Sequence, residues 1–272
     1  MEIELLPTEG SAANANQALI LAQVAHGFLP KTIQVSDEAY EVLNDVNRVI
    51  ENVRSMAKLK GVQVIGIAGA VPNEGTSILG TMISLMMAGA PNDYVDAVTA
   101  ESSEGHSCLI IPHRNRHGIL LIDAQWQRPS LHKIFGVTIE RGLSELLSGE
   151  ISTQIALKNI PIADLKLMTA GQIERVSFNK YFYLDKLKAL LNDIKSDFEF
   201  VFLDIPSLLH SAEGIALSKL CDGLILVVRA EHTRWEVVEE ARRLLEKSNV
   251  NILGAVLNRR NFYIPKEIYR RL

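Results

Sequence analysis

A turn of small residues followed by hydroxyl side chains is the part of this sequence that most directly suggests chemistry. The stretch Ile67–Gly80 reads IAGAVPNEGTSILG. It has the outline of a phosphate-binding loop, G-x-x-x-x-G-K-[ST], in which backbone N–H groups hold phosphates and the hydroxyl binds Mg²⁺. Gly75 takes the place of the second glycine and Ser77 that of the hydroxyl, but Thr76 stands where the lysine belongs. The pattern leaves open a nucleotide site without its lysine or a strand–turn–helix that binds nothing.

Two carboxylates follow apolar runs further along the chain. Asp123 ends GILLID and Asp204 ends FEFVFLD. A carboxylate at the end of such a strand positions Mg²⁺ or orients water near a γ-phosphate. Each acid alone is also compatible with a helix N-cap or a loop acid. Together with the turn at Gly75, they indicate one nucleotide-type site.

Strands and helices must alternate to bring these residues together. Six short apolar runs read as strands buried on both faces: VQVIGIA, GILLID, LKLMTA, FEFVFLD, GLILVV and NILGAVL. Helical patterns are Ser36–Gly61, Ser77–Ala90, Tyr181–Lys195, Ala212–Leu220 and Thr233–Lys247. This order predicts an α/β fold, a mostly parallel sheet flanked by helices, with ligands at the carboxyl ends of the strands.

Composition limits the classes of function. Of 272 residues 47% are hydrophobic, and the formal net charge is −4, so a basic nucleic-acid binder is not expected. No apolar run reaches the length of about 20 residues that a membrane-spanning helix needs. Two distant cysteines, Cys108 and Cys221, suit a reducing compartment, and we expect a cytoplasmic protein. Residues 1–35 read as a leader, residues 36–272 as one domain, and residues 91–117 as an insertion in it.

Several segments in order resemble the cytoplasmic domain of the bacterial tyrosine kinases of capsule and exopolysaccharide synthesis, relatives of the Min/Par-type P-loop ATPases. The segments are DEAYEVLN, VIGIAGAVPNEGTS, LLIDAQWQRPSLHKIFGV, GLSELLSGE, FEFVFLDIPSLLHSAEGIALSKLCDGLILVVRAEHTRWEVVEEA, ILGAVLNRR and YIPKEIYRRL. The resemblance covers most of the chain and implies a P-loop NTPase-like fold of the deviant Walker type.

The resemblance also implies roles for individual residues. Asp123 and Asp204 fall on the family's catalytic acids, and Ser77 joins them as a ligand of Mg²⁺. Asn258 and Arg259 fall where the family receives the adenine base, and Gly75, Thr76 and Ser77 form the nucleotide loop. Pro129 and His132 lie in the shared loop after the second strand.

The departures from the family pattern concern catalysis and assembly. Thr76 replaces the lysine, Asn73 a glycine, Gln125 the second acid of the D-x-D pair, and Gln127 an arginine. The family's ring-assembly motif E-x-x-R-x-x-R reads Glu38, Glu41 and Asn44 here. Its tyrosine-rich tail is not matched, with Tyr263 and Tyr269 near the end. Loss of one preorganised charge of this kind costs about two to three orders of magnitude in rate.

These departures predict a catalytically impaired tyrosine-kinase-like protein, a cytoplasmic partner of a membrane polysaccharide co-polymerase that recruits it to the inner membrane. An active ATP-dependent tyrosine kinase or ATPase and a nucleotide-free adaptor remain as alternatives. We expect weak, Mg²⁺-dependent binding of ADP or ATP, with a Kd nearer millimolar than micromolar, and a monomer or homodimer rather than a ring.

Three smaller features have a simpler interpretation. The group His106, Cys108, His113 and His117 does not have the spacing of a zinc finger, and a solvated loop is expected. Ordinary packing is expected for Trp235, whereas Trp126 is equally compatible with a contact surface. The basic residues Arg259, Arg260, Lys266, Arg270 and Arg271 are expected in a solvated tail rather than on anionic lipid.

Overall fold

A computed structural model describes residues 37–89, 118–160, 164–172 and 180–259. In these ranges the chain forms eight helices and seven strands. The helices are α1 (Asp37–Lys60), α2 (Thr76–Gly89), α3 (Leu131–Ile134), α4 (Leu143–Ser148), α5 (Thr153–Ala156), α6 (Lys180–Ile194), α7 (Ala212–Ser218) and α8 (Trp235–Lys247). The strands are β1 (Val64–Gly69), β2 (Ile119–Asp123), β3 (Lys158–Ile160), β4 (Leu165–Met168), β5 (Phe200–Asp204), β6 (Gly223–Arg229) and β7 (Ile252–Asn258).

Some sequence predictions concern residues outside these ranges. They are the leader 1–35, the insertion 91–117 with its histidines and Cys108, and the tail with Tyr263, Tyr269 and the basic residues from Arg260 onward. The same holds for the side chains of Glu38 and Glu41. In the part of the chain that is described, no helix is long and apolar enough to cross a bilayer.

The strands form one sheet in the order β3-β4-β2-β5-β1-β6-β7. Every neighbouring pair is parallel except the β3–β4 pair at one edge, which is antiparallel. The predicted α/β architecture is therefore confirmed. Because β1, β2, β5, β6 and β7 run the same way, their carboxyl ends meet at one edge of the sheet. The predicted site residues follow these ends.

The core lies on both faces of the sheet. Successive side chains of a strand point to opposite faces: in β1, Val64 belongs to one apolar cluster and Ile65 to the other. Helices α1 and α2 cover the Ile65 face, whereas α6, α7 and α8 cover the Val64 face. Because helices cover both faces, the central strands are fully buried, as their unbroken apolar runs predict.

The boundaries of the long helices agree with the local signals. Gly61 follows α1 with φ +67°, and its N–H donates to the Ala57 carbonyl, so the glycine ends the helix in the left-handed conformation. Helix α2 buries Leu79, Ile83 and Met87, the apolar positions of a helix held between the sheet and α1.

Two predictions about burial were wrong, and several short elements were not predicted. The sequence analysis missed β3 and the short helices α3, α4 and α5, which have too few residues for a periodic pattern. Strand β7 was predicted to be buried on both faces, but Gly254, Ala255 and Leu257 are exposed because β7 is an edge strand paired with β6 alone. Trp235 does not pack in the core: it is 71% exposed at the first residue of α8. Trp126 is buried in the core and is not a contact surface.

Candidate functional site

The loop between β1 and α2, which the sequence predicts to be a phosphate loop, contains two residues in the left-handed region. Asn73 has φ +68° and Gly75 has φ +89°. Asparagine is one of the few residues besides glycine that adopts the left-handed region readily. Asn73 therefore preserves the turn although it replaces the family's glycine. At Gly75 a Cβ atom would lie 2.3 Å from Nδ2 of Asn258, so the close approach also requires glycine.

Glu74 fastens this loop to the sheet, a role that the sequence pattern did not reveal. Its side chain is buried, and its carboxylate accepts hydrogen bonds from the backbone N–H of Val71 at 3.0 Å and the hydroxyl of Thr233 at 2.6 Å. The Arg229 N–H donates to the same carboxylate at 3.3 Å. From β7, Asn258 Nδ2 donates to the Glu74 carbonyl at 2.8 Å. The loop is thus tied to the ends of β6 and β7.

Asp123 is fully buried at the end of β2 and holds the loop that follows it. Its carboxylate accepts from the backbone N–H groups of Gln125, Ser130 and Leu131 at 3.0–3.1 Å. Burial raises the pKa of this carboxyl, and the three N–H groups lower the pKa in part. Both oxygens are therefore engaged by the protein itself.

Asp204 ends β5 directly beside Asp123 in the sheet register. It too is fully buried, and it accepts hydrogen bonds from the hydroxyl of Ser77 and from Nε2 of Gln125, the latter at 2.6 Å. Burial, followed by the negative charge of Asp123, raises its pKa, whereas hydrogen bonds to Ser77, Gln125 and Thr76 lower it. Two carboxyls that meet without a cation between them do not both ionise readily.

Gln125 fills the space between Asp204 and the start of α2. Its Nε2 lies 3.1 Å from Oγ1 of Thr76 and 3.3 Å from Oγ of Ser77, in addition to its bond to Asp204. The lysine position and the second-acid position, both substituted, are therefore joined to each other by a hydrogen bond. The sequence analysis identified both substitutions, but it did not predict their contact.

The resemblance assigns to Mg²⁺ the oxygens of Ser77, Asp123 and Asp204. Mg²⁺ needs an octahedron of oxygen ligands at about 2.1 Å. Here Nε2 of Gln125 donates to the oxygens of Ser77 and Asp204, whereas backbone N–H groups engage the oxygens of Asp123. A nitrogen that carries two hydrogens is a donor and not a ligand. In this arrangement the donor set does not fit Mg²⁺.

A cavity of about 460 Å³ opens beside the start of α2. Its lining comes from the phosphate loop, the loop after β2, the loop after β5 and the end of β7. The lining residues are Pro72, Asn73, Gly75, Thr76, Ser77, Ile78, Gln125, Gln127, Arg128, Ser130, Ile134, Pro206, Ser207, His210, Ser211 and Arg259. None of these described lining residues is acidic, whereas Arg128, His210 and Arg259 bring basic side chains.

The structure separates the predicted site residues into two groups. Gly75, Thr76, Ser77 and Arg259 line the cavity. The remaining three, Asp123, Asp204 and Asn258, lie behind this lining and are engaged by the protein's own donors and acceptors.

Arg128 and His210 were not predicted as site residues. Both lie in loops that follow the carboxyl end of a strand, and this position could have identified them. Pro129 and His132, which the resemblance places in the shared loop, lie beside Ser130 and within α3, and neither lines the cavity. Partial burial, with the charge of Lys133, lowers the pKa of His132.

Comparison with known proteins gives this arrangement a context. No family model matches the chain. The tyrosine-protein kinase Ptk of Acinetobacter johnsonii is 24% identical over 227 residues, which cover 82% of this chain and 26% of Ptk. CapB of Staphylococcus aureus, assigned as a tyrosine-protein kinase, is 25% identical over 66% of this chain and 82% of its own. The succinoglycan biosynthesis transport protein ExoP of Rhizobium meliloti is 25% identical over 72% of this chain and 22% of its own.

This chain thus spans about a quarter of the length of Ptk and of ExoP. Among solved structures, the kinase domain of the Escherichia coli tyrosine kinase Etk superposes with a TM-score of 0.65 at 21% identity, over 82% of this chain and 78% of that one. The cell division ATPase MinD of Pyrococcus furiosus gives a TM-score of 0.52 at 18% identity, over 77% and 78%. The chain is therefore a homologue of the bacterial tyrosine kinases and has the mostly parallel sheet of the P-loop NTPases.

Proposed function

We propose that this protein is a catalytically impaired, tyrosine-kinase-like component of exopolysaccharide or capsule biosynthesis. It acts by binding, as the cytoplasmic partner of a membrane polysaccharide co-polymerase that brings it to the inner membrane. Support for the pathway comes from relatives such as CapB and ExoP. Support for impaired catalysis comes from the site itself.

One observation carries the proposal: the hydrogen-bond network that Gln125 forms with Thr76, Ser77 and Asp204. Phosphoryl transfer depends on positioning and on preorganised positive charge around the transferred group. At the lysine position, the hydroxyl of Thr76 supplies no charge. At the second-acid position, the Gln125 amide donates a hydrogen bond to the Asp204 carboxylate. This carboxylate is therefore not free to bind a metal ion or to activate a nucleophile.

The alternative of an active kinase requires a change in the site that can be tested. One of the cavity's basic side chains would have to reach the transferred phosphoryl group, and Asp204 would have to release Gln125. The nucleotide-free adaptor makes the opposite demand, since no nucleotide would enter the cavity at all.

The experiment that tests the proposal is tyrosine autophosphorylation. The purified protein is incubated with ATP and Mg²⁺, and added phosphate is measured by intact-protein mass spectrometry. The wild type and Asp204→Asn should both remain unmodified. A wild type that gains phosphate on tyrosine, while Asp204→Asn does not, would show an active kinase. The double variant Thr76→Lys/Gln125→Asp restores both family residues and serves as the comparison for a repaired site.

A further inference from the structure

We infer that the cavity binds the phosphate groups of a nucleotide without Mg²⁺, through the side chains of Arg128, His210 and Arg259 and the N-terminus of α2. This inference rests on the nucleotide-binding part of the proposed function and gives it a chemistry different from the Mg²⁺-dependent binding expected from the sequence. In this interpretation the Gln125 amide, instead of a metal ion, is the partner of the Asp204 carboxyl.

The acids are withdrawn from the cavity. Asp123 directs its two oxygens at three backbone N–H groups, and Asp204 accepts from Ser77 and Gln125. Both side chains have zero exposure and neither lines the cavity. A triphosphate that enters therefore does not contact either carboxylate directly.

The basic side chains of the lining are available to a ligand. Within the described ranges, the side chains of Arg128, His210 and Arg259 form no ion pair or hydrogen bond. An arginine presents a planar fork that matches phosphate oxygens, and an imidazole N–H donates a further hydrogen bond. Such a lining favours an anion.

The start of α2 also favours an anionic ligand. Helix α2 has 14 residues and no acidic side chain in its first turn, so the free N–H groups at Thr76 and Ser77 present a positive end to the cavity. Ser130 also lines the cavity, and its hydroxyl oxygen is buried without a hydrogen-bond partner among the described residues.

The size of the cavity indicates a nucleotide rather than a free phosphate ion. A volume of about 460 Å³ lies in the range of sites for ligands with ring systems. The lining also includes the apolar side chains of Pro72, Ile78, Ile134 and Pro206, against which a base or ribose can pack.

Titration calorimetry in two buffers tests the inference. ADP, ATP and pyrophosphate are each titrated into the wild type in excess EDTA and in excess Mg²⁺. We expect the Kd for ADP to change by less than about threefold between the two buffers and pyrophosphate to bind more weakly than ADP. Binding of ADP that appears only with Mg²⁺ overturns the inference, and so does a failure to bind in both buffers. Pyrophosphate that binds as tightly as ADP contradicts the assignment to a nucleotide.

Variants test which residues are responsible. Arg128→Ala and His210→Ala should each weaken ADP binding in EDTA by about tenfold, the effect of removing one hydrogen bond to a charged group. Lys133→Ala is the matched control, because Lys133 is an exposed cation of the same segment that does not line the cavity. Equal affinities of all three variants and the wild type would contradict the assignment.

Gln125→Asp tests the part assigned to the amide. It returns a carboxylate to the site, so ADP binding should become at least about tenfold tighter in Mg²⁺ than in EDTA. Unchanged affinities in both buffers would show that Gln125 does not set the metal dependence. The assay is separate from that of catalysis: Mg²⁺-dependent binding without turnover overturns this inference alone, whereas turnover overturns the proposed function.

Discussion

At the scale of single residues, Asp204 lies in surroundings that oppose its own ionisation. It is fully buried beside Asp123, and the partners that it receives from Gln125 and Ser77 are neutral. Its raised pKa means that the charged form of the carboxyl costs free energy in the folded state.

This cost predicts the effect of Asp204→Asn on stability. The folded-state pKa lies above the unfolded one, so the wild type loses stability as the pH rises from about 4 through the raised pKa. Asp204→Asn has no carboxyl at this position and does not lose stability in this way. At pH 8 Asp204→Asn should raise the free energy of unfolding by about 1 to 3 kcal/mol, since one pKa unit corresponds to about 1.4 kcal/mol. Urea denaturation at pH 4 and pH 8 measures this. A gain that is as large at pH 4 would contradict the explanation.

A second prediction at this scale compares two residues of the phosphate loop. Gly75→Ala should destabilise the fold by about 1 to 3 kcal/mol, because the backbone has φ +89° and the new methyl would displace the Asn258 amide from the Glu74 carbonyl. Asn73→Gly should leave the free energy of unfolding within about 0.5 kcal/mol, because φ +68° suits both residues. Thermal or urea unfolding measures both effects. Equal losses of stability in Gly75→Ala and Asn73→Gly would contradict the backbone geometry of the loop.

At the scale of elements, the strand ends were predictable and the contacts between them were not. The apolar runs before Asp123 and Asp204 identified two central strands, because a strand buried on both faces leaves an unbroken signal. The contact of Gln125 with Thr76 and Asp204 joins residues 49 and 79 positions away in the chain, and no local pattern encodes it. Glu74 was missed for the same reason, since its partners lie on β6 and after it.

The edges of the sheet show where periodicity fails. Strand β3 has three residues, two of them polar, and so it resembled a loop. Strand β7 has the composition of a central strand but lies at an edge, and the sequence does not reveal the order of strands in a sheet.

The two tryptophans give a test at the scale of elements. Trp126→Ala, in the loop after β2, removes a buried ring of the core and should cost about 3 to 5 kcal/mol. Trp235→Ala, at the exposed start of α8, should change the free energy of unfolding by no more than about 0.5 kcal/mol. Chemical denaturation of both variants checks this pair, and a large loss for Trp235→Ala would show that this face of α8 is packed.

At the scale of the whole molecule, the sequence of α1 predicts how the chain assembles. The positions that carry arginines in the family's ring-assembly motif hold Glu41 and Asn44. Without arginines at these positions, we expect that α1 does not build the ring of the relatives. Light scattering of the purified protein at micromolar concentration should give a monomer or dimer. A stable octamer would mean that other surfaces replace the motif.

The central claim, that the fold is kept while phosphoryl transfer is lost, depends on Thr76 and Gln125 together. Its most direct test is ATP hydrolysis at millimolar ATP with Mg²⁺, measured as released phosphate for the wild type and for Asp204→Asn in parallel. We predict the same background rate for both proteins, because Thr76 supplies no charge at the transferred phosphoryl and Gln125 already occupies Asp204. A wild-type rate that is at least about tenfold higher, and that Asp204→Asn abolishes, would contradict the claim.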